Sequence, residues 1–184
     1  MKFDRLALFH GLSNGFLERE DIRALPPEEV FEEQILDLRG FCADSLEISC
    51  PEHITFGIFE GDRAALYDAV AQVDEDWVQW YKEGSCPAYC AFDGDKVVSF
   101  CLLDDFGSYE GLRVGGPGCV GTVPQYRKQG IGLKMVQLAT KELKRLGYDL
   151  SYIHYTAVGH WYARLGYETL VKWNCRGIVE NKTL

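Results

Sequence analysis

Between Gly118 and Gly132 the chain passes from strand to tight turn to helix start without a break, and few backbones satisfy that order. An apolar, glycine-interrupted run, Gly118 to Val123, leads into Pro124-Gln125-Tyr126-Arg127-Lys128-Gln129, and an amphipathic run starts at Ile131. The N–H groups of such a turn converge at a helix N-terminus, whose dipole adds partial positive charge. The junction therefore suits a pyrophosphate. The helix from Ile131 carries Met135, Leu138, Ala139, Leu143 and Leu146 on one side, and Gly147 ends it.

Charge is divided along the chain in the sense this junction asks for. Residues 1–119 hold 9 basic and 24 acidic side chains, whereas residues 120–184 hold 10 basic and 4 acidic ones. The basic part coincides with the turn and its helix and fits an anionic ligand. The acidic part favours a cationic partner and argues against a nucleic-acid backbone. The start, Met1-Lys2-Phe3-Asp4-Arg5, lacks the layout of a secretion signal, and no apolar run is long enough to span a bilayer. Seven scattered cysteines without a Cys-x-x-Cys pair predict reduced thiols in a cytoplasmic protein with no metal and no membrane partner.

Residues 1–50 read as an N-terminal extension. Within it Pro26-Pro27-Glu28-Glu29 opens a predicted helix with Val30, Phe31, Ile35 and Leu38 on one apolar face, suited to docking on the core, covering a cleft or forming a homodimer. Ile54 to Phe59 reads as a strand, and Asp62 caps a helix through Val73. A second helical stretch lies around Asp76 to Tyr81. Ala88 to Phe92 and Lys96 to Leu103, joined by Asp93-Gly94-Asp95, form a hairpin. Leu150 to Tyr155 is a further strand, His160 to Leu165 a short helix, and Thr169 to Trp173 a late strand. Strands alternating with helices make this an α/β chain.

Arg127, Gly130 and Gly132 fill the Gln/Arg-x-x-Gly-x-Gly/Ala signature of the GCN5-related N-acetyltransferases, and Trp161-Tyr162-Ala163-Arg164-Leu165-Gly166-Tyr167 resembles that family's second motif. Residues 51–184 are thereby identified as a GNAT domain: a mixed central sheet with splayed parallel central strands, flanked by helices. Lys128 stands where many members have glycine, and Thr156 where many have asparagine.

The resemblance implies acetyl-CoA as co-substrate, its pantetheine arm lying between the strands Gly118–Val123 and Leu150–Tyr155. Val120, Thr122 and Val123 would offer backbone groups to it, and Arg127, Lys128, Gln129, Gly130, Ile131, Gly132 and Leu133 would hold the diphosphate, with Thr156 as a further contact. Tyr162 matches the tyrosine that protonates the leaving thiolate. The implied reaction is direct acetyl transfer to the primary amine of a small molecule or peptide. The alternative is a non-catalytic acyl-CoA sensor or interaction module. For the base the residues offer Asp104 and Asp105 at the end of the hairpin, and His154, which shares a strand face with Tyr152. Glu75, Asp76, Trp77 and Tyr109 are the acceptor-site candidates.

Overall fold

The computed structural model describes residues 4–179, so Met1 to Phe3 and the last five residues of the 51–184 domain lie outside the described residues. The elements are α1 (Arg5–Leu12), α2 (Glu20–Arg23), β1 (Phe31–Asp37), β2 (Ile54–Ile58), α3 (Arg63–Ala71), α4 (Val78–Glu83), β3 (Ala88–Asp93), β4 (Lys96–Tyr109), β5 (Leu112–Thr122), α5 (Ile131–Arg145), β6 (Leu150–Thr156), α6 (Gly159–Ala163), β7 (Glu168–Asn174) and β8 (Gly177–Val179). The strands form one eight-stranded sheet in the order β2-β3-β4-β5-β6-β1-β7-β8.

The helix expected after Pro26 does not form. Pro26-Pro27-Glu28-Glu29 closes a turn in which Glu29 N–H donates to Pro26 O (3.1 Å), and Phe31–Asp37 is an interior strand, antiparallel to both β6 and β7. The segment read as an extension thus completes the sheet. Its pairing partners lie more than a hundred residues away, and their ladders outweigh local helix signals.

Two faces are covered differently. On one, α5 packs Ile131, Met135, Val136, Ala139 and Leu143 onto Cys101, Leu103 and Ile153. On the other, α3 and α4 bury Leu66, Val70 and Tyr81 against Phe100 and Leu102, while α1 sets Leu8 onto Tyr152 and Leu170. The cap at Asp62 is present, its Oδ1 accepting from Ala64 N–H (3.0 Å). β5 starts ahead of the run Gly118 to Val123, with Gly115, Gly116 and Pro117 already paired with β4.

Candidate active site

β5 and β6 are parallel, yet they pair only at Val114 with Leu150 and at Gly115 with Ser151. Beyond that point each carries a bulge. On β5, Phe100 faces Gly121 but Leu102 faces Gly118, so one extra residue is accommodated, and Cys119 takes φ 46°. On β6, Glu32 faces Thr156 but Gln34 faces Ile153, and Tyr155 takes φ 56°. Bulges bend a strand and re-aim its side chains. The strands part here, and past Gly115 the β6-facing edge of β5 has no strand ladder.

A cleft of about 630 Å³ opens beside this gap and the N-terminus of α5. Val120, Thr122, Arg127, Lys128, Gly130, Ile131, Gly132 and Leu133 line it, and Tyr162 reaches it from α6. Tyr162 is 6% exposed, and burial pushes its phenol well above the ordinary range. Arg127 Nε donates to Thr122 O (3.0 Å), which ties the turn back to the end of β5.

Asp104 and His154 lie on the sheet face opposite α5. Leu103 and Ile153 enter the α5 core, and strand alternation sends Asp104 and Tyr152 the other way. The His154 ring stacks along Tyr152 (5.9 Å between centroids) and meets the edge of Phe106 (6.5 Å). A Cβ at position 118 would collide with the Asp104 carboxyl, so glycine there makes room for the acid. Burial raises the Asp104 carboxyl above its ordinary value of 3.8, opposed by the Cys86 thiol and by the charge of His154. Burial, then Asp104 and Asp74, push the Cys119 thiol up to about 12, which keeps it protonated and unsuited to attack. Tyr81 pins the bulge by donating to Cys119 O (2.9 Å).

The family model for the acetyltransferase (GNAT) domain matches residues 84–169, which hold the bulged β5, the turn and α6. Over residues 84–169 the chain is a GNAT-family domain. Among solved structures, a GCN5-related glucosamine N-acetyltransferase region of a fungal multi-domain GH3 β-N-acetylglucosaminidase aligns with TM-score 0.63 and 22% identity, over 79% of this chain and 20% of that one. GCN5-related N-acetyltransferases from Kribbella flavida and Sphaerobacter thermophilus each align with TM-score 0.58 and 18% identity, over 79% and 86% of this chain. This chain spans 56% of each of those two. No curated protein matches it.

Several expected residues fall outside the GNAT cleft. Val123 N–H donates to Val98 O (2.9 Å) and its side chain is buried with α3, so it is closed to a ligand. Gln129 turns back to Gln125 O (3.2 Å). Thr156 Oγ1 accepts from Val158 N–H (3.1 Å), and it is Val158 and His160 that border the cleft. Asp105 points to the outer surface, where its carboxylate accepts from Tyr148 Oη–H (2.9 Å) and Gly107 N–H (2.7 Å). Glu75 and Asp76 are exposed on a single 3₁₀ turn capped by Asp74, and Trp77 packs into the α3–α4 core. Tyr109 lies at the far end of β4, against Gly11 of α1.

Other residues were missed. His160 on α6 and Arg164 at its C-terminal cap line the cleft, where Arg164 adds positive charge, and the i, i+4 spacing after a basic turn is a signal that sequence carries. Asp74, half-buried and near Cys119, carried no such signal.

The Asp104 shift gives a stability prediction. A carboxyl whose folded value is raised favours the folded state when protonated, and that contribution is lost as pH climbs through the unfolded and then the folded value. D104N therefore raises Tm at neutral pH, and its advantage over the parent disappears below about pH 3.8, the ordinary value. Thermal denaturation across that range measures it, and an advantage independent of pH would contradict it.

Proposed function

We propose that this chain is an acetyl-CoA-dependent N-acetyltransferase that transfers acetyl directly to the primary amine of a cationic small molecule. One observation carries the reading: β5 and β6 separate at the point where the basic turn, the α5 N-terminus and Tyr162 line a single cleft. The residues fit coenzyme A in kind, with Arg127, Lys128, His160, Arg164 and the α5 N-terminus for phosphates, and the open β5 edge near Val120 and Thr122 for the pantetheine amides. When bound, acetyl-CoA supplies an activated thioester.

The remaining chemistry falls to the chain's own side chains. An amine of ordinary pKa near 10.4 is neutral about once in 10³–10⁴ at pH 7, a deficit of about 4–5 kcal/mol that a proton acceptor must offset. Asp104 and His154 share the face from which an amine would reach the bulge, and they supply negative charge and a basic nitrogen respectively. Tyr162 offers a hydroxyl to the leaving sulfur. Seven free cysteines accord with a reducing, cytoplasmic setting.

Calorimetry with coenzyme A, followed by thiol release from acetyl-CoA against glucosamine, spermidine and single amino acids, tests the proposal. Glucosamine belongs in the panel because the fungal region similar in fold is described as a glucosamine N-acetyltransferase. Micromolar binding with turnover of at least one amine is the expected result. Absence of heat with coenzyme A would remove the proposal.

A further inference from the structure

Glu33 is central in β1 and 0% exposed, and four donors converge on its carboxylate. Trp173 Nε1–H donates to Oε1 at 2.7 Å and Tyr155 N–H to the same oxygen at 3.2 Å. Tyr152 Oη–H donates to Oε2, and His154 Nδ1 stands 2.8 Å from that oxygen. The donors come from β6 and β7, and the register of β1 slips beside Glu33 against both neighbours. Tyr155 holds its positive φ with its N–H bound to Glu33, so the bulge that re-aims β6 is fastened to this carboxylate.

The network favours one tautomer through charge-assisted hydrogen bonds. An indole N–H and a backbone N–H can only donate, so Oε1 must accept from both. The Tyr152 hydroxyl, 3.0 Å from Ser13 Oγ, can accept from Ser13 while donating to Oε2. A proton on Oε2 would have to be donated to Nδ1, with Tyr152 Oη–H donating to the remaining lone pair, and the contacts from Trp173, Tyr155 and Tyr152 would each lose their charge assistance. With Glu33 ionised and His154 carrying its proton on Nδ1, all four contacts are satisfied. In the neutral ring Nε2 is then left with a free lone pair. The imidazole is 30% exposed and borders a hollow with Ser13, Phe16 and Phe106, on the sheet face that holds Asp104.

We propose that Glu33 is a positioning residue that holds His154 in its Nδ1–H form, so that Nε2 takes a proton from the acceptor amine. This rests on the acetyltransferase reading. The proton moves from the ammonium nitrogen to Nε2, and the freed lone pair forms the bond to the acyl carbon. The C–S bond breaks, the sulfur receives a proton from Tyr162, and the second proton shed by the nitrogen balances that one. His154 returns its proton to solvent. A carboxylate that fixes the tautomer of a base through its other nitrogen is a general arrangement in acid–base chemistry.

Nitrogen-15 NMR of the histidine rings at alkaline pH tests the tautomer without any substrate, with the H154Q spectrum assigning the signal. The parent shows Nδ1–H. In E33Q the amide oxygen must face Trp173 and Tyr155, its NH₂ faces His154, and the ring switches to Nε2–H. With the best amine of the panel, E33Q and H154Q each lose about 10²–10⁴ in kcat, while KM for acetyl-CoA holds. If E33Q fails to fold, the parent tautomer and H154Q decide. A parent in the Nε2–H form, H154Q at parental kcat, or E33Q that keeps both Nδ1–H and parental kcat would each overturn the proposal. A parent that releases no thiol with any amine removes the acetyl-transfer reading and the base role with it, while the tautomer signal still tests the Glu33–His154 geometry alone.

Discussion

Replacing Tyr162 by phenylalanine lowers kcat by about 10²–10⁴, the usual contribution of a positioned acid, and leaves the affinity for coenzyme A unchanged. The change is clean because the neighbouring Thr140 and Ser151 hydroxyls are bonded to Tyr167 Oη and no group among the described residues is bonded to Tyr162 Oη, so its removal orphans no other group. The ring stays packed at its edges, with Trp161 at 4.9 Å and Tyr167 at 6.0 Å between centroids, and Tm is expected to hold. Burial keeps the phenol protonated at every working pH, so its titration does not enter the pH–rate profile. A thiol of ordinary pKa near 8.5 gives a thiolate less basic than a phenolate, by roughly 2 kcal/mol against pKa 10, which opposes full proton transfer. The same water-poor cleft penalises the thiolate too, so the gap is not widened by burial of the phenol alone. The hydroxyl then acts first as a hydrogen bond to growing charge on sulfur. Steady-state kinetics beside calorimetry checks this: a variant with parental kcat would take Tyr162 out of the chemistry, and one that binds coenzyme A poorly would make it a packing residue.

What sequence disclosed follows the range of the forces involved. The turn and α5 were legible because every contact that defines them is local: the glycine at 130, the apolar stripe from Ile131 and the basic run all lie within one short stretch. The Arg127, Gly130 and Gly132 pattern carried the family with it. The splay was implied by resemblance, since the end of a ladder at Gly115 depends on a partner thirty-six residues on. β1 was misread for a clear reason. In Phe31-Glu32-Glu33-Gln34-Ile35, burial of both faces and a fully buried acid at position 33 erase the alternation that announces a strand, while Phe31, Ile35 and Leu38 imitate a helical face. Glu33 itself looked like one surface acid among many. Its donors, Tyr152, His154, Tyr155 and Trp173, stand more than a hundred residues away, and no local spacing reports them.

Gly130→Ala is expected to weaken coenzyme A binding by about tenfold or more, equivalent to about 1.4 kcal/mol, and to lower Tm by several degrees. Gly130 caps α5 at φ 79°, where an L-residue costs about 1–2 kcal/mol. A methyl group there would also collide with the backbone carbonyl of Ser49. That carbonyl has little freedom to retreat, because buried Gln137 of α5 donates to Ala43 O (2.8 Å) and Leu46 O (2.6 Å) and so fastens the preceding loop to the same helix. The strain must therefore be relieved in the turn that carries Lys128 and Gly130, both on the cleft wall. Gly147→Ala is the matching control. It sits past the other end of α5 at φ 85°, and its added methyl meets only the Arg113 side chain, at 3.4 Å. It incurs the same backbone penalty away from the cleft, so Tm falls while coenzyme A affinity holds. Equal loss of affinity in both variants would mean that the helix as a whole, and not the turn's grip on phosphate, sets binding. Parental affinity in Gly130→Ala would place the diphosphate elsewhere.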